Sequence, residues 1–124
     1  MNTDRQAVAP INGHRQPCPV AITSGVIGGK WKGVVLFHLL TETRRFNELK
    51  RLMPGVTQRM LTKQLRELEA DGVVLRQVYA VVPPRVEYSL TPFGQTLSEV
   101  ILSMRAWGIA HADQLSTHVR QIID

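Results

Sequence analysis

The sequence predicts a mainly α fold that carries one small β-hairpin, an α+β class. Three observations lead there. Apolar residues recur at three-to-four spacing in successive segments between Val20 and Leu115, the period of helices that each bury one face. Two runs rich in β-branched and aromatic residues, 73–81 and 86–90, flank Val82-Pro83-Pro84-Arg85. The stretch Arg44 to Arg66 holds seven basic residues and one acid, a net +6 against +5 for the whole chain.

A chain of 124 residues suffices for one compact domain and is too short for two of ordinary size. Hydrophobic content of 44% with 20% charged residues excludes disorder as the dominant state. No apolar run reaches the roughly 18 residues of a membrane span, and MNTDRQAVAPINGHRQ lacks a signal-peptide hydrophobic region. The expected compartment is the cytoplasm, with no membrane partner. A single cysteine, Cys18, excludes a disulfide within the chain. The basic balance points to a polyanionic partner.

Residues 1–16 are polar, mixed in charge and without periodicity, and are expected to form a mobile arm. Residues 17–124 form the single expected domain. Pro17-Cys18-Pro19 fixes the chain before a first helix, Val20 to about Ile27, whose larger side chains are all aliphatic. With no charge to mark a solvent face, this helix (about 18–28) is a candidate subunit interface; packing only on its own domain is the alternative. Gly28-Gly29 breaks it. A second helix from Lys30 to Leu40 carries Trp31, Val34, Val35, Leu36, Phe37, Leu39 and Leu40, enough apolar surface for the central core helix. His38 lies within it with Glu42 at i+4, but no third ligand accompanies the pair, so no metal site is expected.

The next two helices form the functional centre. The first, Phe46 to Leu52, puts Phe46, Leu49 and Leu52 on one side. After Met53-Pro54-Gly55-Val56, Thr57 is a good N-cap for a helix that ends at Asp71-Gly72, where glycine suits the left-handed C′ position. At about 100° per residue, Leu61, Leu65 and Leu68 fall within roughly 60° of one another, and Arg59, Lys63 and Arg66 form an opposite stripe beside Thr62. The stripe contains no acid in this reading. Glu67, Glu69 and Asp71 are held back at the C-terminal end, against the helix dipole. A basic stripe alone is more commonly a solvated amphipathic face than a DNA contact.

The next segments of the chain shift that balance. The two β-rich runs read as a hairpin with prolines at its tip, where no ladder donor is needed. A hairpin directly after a basic second helix is a wing, with Arg76 and Arg85 upon it. Thr91-Pro92 starts a long helix, about 92–120, with Leu97, Val100, Ile101, Met104, Trp107, His111 and Leu115 in register. It exceeds what a small domain needs for its own core. Paired with the first helix it offers a two-fold interface, with Val20, Ile22, Ile27, Ile101, Met104 and Trp107 as its candidate residues. His111 and His118 lack a third ligand. The whole is a winged helix-turn-helix with N- and C-terminal dimerisation helices.

In order and spelling, these parts resemble the HxlR-type winged helix-turn-helix transcriptional regulators of bacteria, relatives of the MarR group. The matching pieces are Cys18-Pro19-Val20, GGKWKGVVLFHLL (28–40), RRFNEL (44–49), PGVTQRMLTKQLRELEADGVV (54–74), VPPRVEYSLTPFG (82–94) and Trp107-Gly108. They span roughly residues 17 to 113, and their specificity lies in the linked series. One departure is Thr41-Glu42-Thr43, where family members often carry a glycine. The resemblance implies a homodimer on a palindromic DNA operator. It also implies a role for Cys18, since some members sense oxidants or electrophiles through an N-terminal cysteine. A cysteine at a helix start gains thiolate character from the dipole; a small residue with no sensing role is the other reading.

The expected mechanism rests on side-chain geometry. Gln58 and Arg59, with Thr62 beside them, lead the helix 57–71 into the major groove, where arginine suits guanine and glutamine adenine. Lys63 and Arg66, then Arg44, Arg45, Lys50 and Arg51 from the supporting helix, and Arg76 and Arg85 from the wing, are assigned to the phosphate backbone. No paired carboxylates, phosphate loop or nucleophile motif suggests an enzyme, and no cofactor is expected. Two alternatives remain: a winged-helix protein-interaction module, and a regulator switched by a small-molecule effector.

Overall fold

The computed structural model describes residues 17–115. The expected arm at 1–16, the end of the last helix near 120 and His118 lie outside the described residues. The elements run α1 (Pro19–Ile27), α2 (Lys32–Leu39), β1 (Arg44–Arg45), α3 (Phe46–Leu52), α4 (Gln58–Ala70), β2 (Val74–Tyr79), β3 (Arg85–Leu90), α5 (Pro92–Gln95) and α6 (Ser98–His111), then a short 3-10 turn, Ala112–Leu115. Helices joined to a small antiparallel sheet make the α+β winged class that the sequence predicts. Among the described residues no single helix is long and apolar enough to cross a membrane.

The core is built on α2. Val35, Leu36 and Leu39 are buried along it, and Trp31 closes its start. Val34, Phe37 and Leu40 are only half-buried, so less of the circumference is covered than expected. Leu49 of α3 and Leu61, Leu65 and Leu68 of α4 meet α2 in the same cluster. By area, burying such a side chain stabilises by roughly 1.5–3 kcal/mol, which seats α4 where an isolated helix of its length is marginal in water. Leu52, expected inward, is exposed. Met53 in the following turn takes the buried place instead, and the Val56 N–H donates to its carbonyl at 3.1 Å.

The sheet holds three strands where the sequence predicts two. Its order is β1-β3-β2, all antiparallel, with Arg44 opposite Tyr88 and Arg45 opposite Glu87. In the wing itself Val74 faces Leu90 and Tyr79 faces Arg85. β1 ties the approach to α3 onto the wing. Arg44 and Arg45 therefore lie in a strand and not on the supporting helix.

One crossing joins α4, the wing and α5. The end of α4 is a Schellman motif: the Val73 N–H donates to the Leu68 carbonyl at 3.2 Å and the Gly72 N–H to the Glu69 carbonyl at 3.0 Å. Gly72 takes φ +80° there, which a side chain would strain. Thr91 reaches back across the wing. Its N–H donates to the Val73 carbonyl at 3.1 Å, and its hydroxyl donates to the Gly72 carbonyl at 2.7 Å. The same hydroxyl caps α5 by accepting the Gly94 N–H at 2.9 Å.

Gly94 is pressed onto that crossing, so that a Cβ there would stand 2.1 Å from the Val73 carbonyl oxygen. The single long helix expected from Pro92 is in fact broken. α5 stops after one turn, the Leu97 N–H donates to the Gly94 carbonyl at 3.0 Å, and α6 starts at Ser98, packed against α2. The break lets Gly94 touch the wing root while Ile101 reaches the core.

Gly94→Ala is expected to destabilise the protein by about 1–3 kcal/mol or more, as overpacking against rigid backbone does. Urea denaturation measures it; an unchanged midpoint would show that the crossing yields freely.

Candidate nucleic-acid interface

The polar side of α4 is an open face, set by its caps and its leucines. The Thr57 hydroxyl accepts the Met60 N–H at 3.1 Å, which fixes the first turn as predicted. With Leu61, Leu65 and Leu68 inward, Gln58, Arg59, Thr62, Lys63, Arg66 and Glu67 line one shallow depression. A second cleft of about 480 Å³ runs between α4 and the wing, with Gln58, Thr62 and Arg66 on one wall and Arg76 and Tyr88 on the other. The structure thus brings together Gln58, Arg59, Thr62, Lys63, Arg66 and Arg76. Thr62 donates its hydroxyl to the Gln58 carbonyl at 2.8 Å, so its oxygen remains an acceptor for any further partner.

Two expected contacts, Arg44 and Arg85, stand differently. Arg44 is half-buried, donates from Nε to the His38 carbonyl at 3.0 Å and lies 3.7 Å from Glu42. It bolts β1 to the end of α2. Arg85 lies with its guanidinium 4.4 Å over the Tyr79 ring and its Nε 3.3 Å from Glu87. That Nε is buried and lacks an aligned hydrogen bond, so the Glu87 contact is an ion pair by distance alone. Its charge is turned onto the wing. Arg45 is exposed at the start of α3, where its N–H donates to Glu48 Oε1 at 2.7 Å. Lys50 and Arg51 are exposed in the last turn of α3, where the helix dipole favours cations.

The reading of the stripe as free of acid is corrected by Glu67. Four residues after Lys63, it is about 40° away around the helix and within the same face. Lys63 Nζ donates to its Oε2 at 2.7 Å, while Lys32 Nζ, at the start of α2, lies 2.7 Å from its Oε1. Hydrogen bonds from Lys32 and then Lys63 hold the Glu67 carboxyl at about 2, down from 4.5. The i,i+4 spacing to Lys63 was present in the sequence. The bond to Lys32 spans distant elements and left no local signal.

His38 is half-buried, with its ring edge-on to Phe37 at 5.3 Å. Burial, then the Arg44 charge, lowers its pKa below 6.5, partly offset by a backbone hydrogen bond to Leu52. It is a packed neutral histidine. Among the described residues no group of three His, Cys, Asp or Glu is placed to hold a metal.

The expected interface residues divide. Val20 is 72% exposed and Trp107 58%, with Ile22 and Met104 also outward. Ile27 and Ile101 are 8% and 2% exposed; they belong to the protomer's own core and present no side chain to a partner. Sequence reasoning missed Leu102 and Ile109, which add to the exposed apolar surface of α6. The Trp107 and His111 rings meet at 4.7 Å, tilted by 42°. Cys18 is exposed at the N-cap of α1.

Comparison with known proteins places these features in context. The family model described as HxlR-like helix-turn-helix matches residues 26–116. The uncharacterized HTH-type transcriptional regulator YybR of Bacillus subtilis (strain 168) is 54% identical over 105 residues, which cover 85% of this chain and 84% of the relative. Among solved structures, the redox regulator HypR in its reduced form is 56% identical with a TM-score of 0.76, covering 81% of this chain and 99% of that one. HypR in its oxidized form is 59% identical with a TM-score of 0.73, covering 75% and 96%.

The geometry of α4 leads to two expected outcomes. Thr57→Ala is expected to cost about 1 kcal/mol of stability through the lost cap, read by thermal or urea unfolding. The Glu67 carboxyl is depressed in the folded chain, so the stability it contributes is fully present above pH 4.5 and is lost as the pH falls towards about 2. The stability difference between the native chain and Glu67→Gln is therefore expected to be flat above pH 4.5 and to shrink below it. A difference that grew with acid would contradict the ion-pair assignment.

Proposed function

The chain belongs to the HxlR-like helix-turn-helix family, and from that premise we propose that this transcriptional regulator binds a palindromic operator as a homodimer. One observation carries the reading: α4 and the wing converge Gln58, Arg59, Thr62, Lys63, Arg66 and Arg76 on one open face. A basic face on a seated helix beside a hairpin fits the major groove of double-stranded DNA.

In this reading Gln58 and Arg59 meet base edges, with Thr62 accepting from an exposed amine. Lys63, Arg66 and Arg76, with Arg45, Lys50 and Arg51, neutralise phosphates. Arg44 and Arg85 act on the protein side, since each is already bonded within it. Val20 and Ile22 of α1 with Met104 and Trp107 of α6 form the two-fold interface. Their exposure supports it, because large apolar side chains left outward on both helices are surface that a partner could cover.

Cys18 is the switch in this reading. The similar protein HypR is a redox regulator, and Cys18 here is exposed at a helix start. Oxidation by diamide removes two electrons and two protons as two thiols join, either Cys18 with a small thiol or Cys18 of both protomers. A second reading, switching by a small ligand, is favoured by a cleft of about 300 Å³ between α1, α2 and α6. Ile27, Val34, Phe37, Ile101 and Met104 line it, together with Lys30 and Arg105. Among the described residues neither cation has an acid partner, although Lys30 lies over the Trp31 ring at 4.9 Å and Arg105 over the Phe37 ring at 5.6 Å, so the cleft suits an apolar molecule bearing an anionic group. A rise in melting temperature with such a compound that Arg105→Gln removes would support that reading.

Gel-shift or anisotropy titration on the chain's own upstream DNA tests the proposal. With roughly six to twelve phosphates neutralised per dimer, log K is expected to fall with log salt at a slope on the order of 5–11. A shallow slope without sequence preference would sink it. Arg59→Ala is expected to relax preference at one base position by about 1–3 kcal/mol, whereas Arg76→Ala weakens all sequences about equally; identical behaviour refutes the division of roles. Diamide is expected to change DNA binding of the native chain and leave Cys18→Ser unaffected.

A further inference from the structure

Glu67 stands on the open face of α4 among the groups assigned to DNA, where an acid opposes a polyanion. Its two oxygens are both used, Oε1 towards Lys32 and Oε2 towards Lys63, each at 2.7 Å. The two arms are unequal. The Lys32 side chain is 11% exposed and that of Lys63 67%. A cation whose side chain is largely covered is more costly to leave without its partner, whereas an exposed pair is screened and weak.

Local helix stability does not account for this acid. In an i,i+4 pair the favourable order puts glutamate before lysine, and here Lys63 precedes Glu67. α4 is already seated by three buried leucines. What the arrangement does provide is a fixed carboxylate, held from α2 by Lys32, that keeps one oxygen for the ammonium of Lys63.

We propose that Glu67 is a positioning residue for DNA binding: anchored on Lys32, it holds Lys63 at the interface and makes phosphate compete for it. The proposal rests on the DNA-binding reading of α4 and the wing. A phosphate takes Lys63 by displacing the Oε2 bond alone, and Glu67 keeps its bond to Lys32, so α4 need not move. The sequence-independent share of binding is thereby reduced, while the base contacts of Gln58 and Arg59 are untouched. Glu67 thereby lowers affinity for arbitrary and operator DNA alike, and the ratio between them stays with the base contacts.

The test is a double-mutant cycle, read by anisotropy with the full chain and a labelled duplex of about 30 base pairs of arbitrary sequence, since backbone contacts are independent of sequence. Glu67→Gln is expected to tighten binding about twofold to tenfold, the range that two weak surface pairs per dimer allow. In a Lys63→Gln background the same change is expected to alter binding less than about twofold. An equal gain in both backgrounds means simple repulsion by the acid and overturns the proposal, as does no gain in either. A native chain that fails to bind the duplex at low salt overturns the DNA-binding reading and this proposal together. If Glu67→Gln alone lowers the melting temperature, Lys32→Met with Glu67→Gln removes both ends of the partly buried pair, and the cycle is read on that pair.

Discussion

The structure turns on the backbone crossing of Gly72 and Val73 with Thr91 and Gly94. Three hydrogen bonds and one close approach meet there: the end of α4, the root of the wing and the start of α5 share the Val73 carbonyl and the Thr91 hydroxyl. The carbonyl of Val73 accepts the Thr91 N–H and is covered by the Cα of Gly94, which leaves it satisfied and out of water, as a buried backbone oxygen must be. Because the bonds are main-chain or near it, the relative placing of recognition helix and wing is set by rigid parts. A groove reader needs that rigidity, since side chains on α4 and β2 act together only if their spacing holds.

Around that crossing the cations sort by what already satisfies them. Arg44 and Arg85 are spent on a carbonyl, an aromatic ring and nearby acids. Lys32 is nearly buried on Glu67. Arg59, Arg66 and Arg76 are exposed and have no acid within ion-pair distance among the described residues. Net charge alone treats all of them as equal, yet of these the last group, joined by the exposed Arg45, Lys50 and Arg51, is the one without an internal acid competing for its charge among the described residues. Formal charge locates the basic stretch; bonding within the chain decides which part of it is available.

Much of this was legible because it is local. The caps Thr57 and Thr91, the glycine at 72, the leucine register of α4 and the two wing strands each leave a mark within a few residues. What was hidden depends on contacts between distant segments. β1 is two residues long and exists only because β3 lies beside it. The break between α5 and α6 comes from Gly94 meeting Val73, some twenty residues away in sequence. Ile27 and Ile101 could not be told from Val20 and Met104 by type, because an aliphatic residue looks the same whether its own core or a partner covers it. Of the predicted interface face, α4 and Arg76 were legible, as was the spacing of Glu67 to Lys63; the bond of Glu67 to Lys32 and the inward turn of Arg44 and Arg85 depend on how the chain folds.

That ambiguity of α1 and α6 has a mechanical consequence. Each helix buries one isoleucine in the core beside α2 and leaves most of its other large apolar side chains outward. Neither helix is therefore an appendage on a flexible linker. In a two-fold dimer built on that surface, the element that meets the partner is the same element that packs on α2, and α2 in turn packs on α4. The distance between the two recognition helices is then fixed by core packing. Half-site spacing on DNA is geometric, so a dimer joined in this way reads spacing as strictly as it reads bases. A displacement of α1, which carries Cys18 at its start and Ile27 at its end, is passed to α2 through packed side chains. Because interiors are close-packed, such a shift moves neighbours before it opens space.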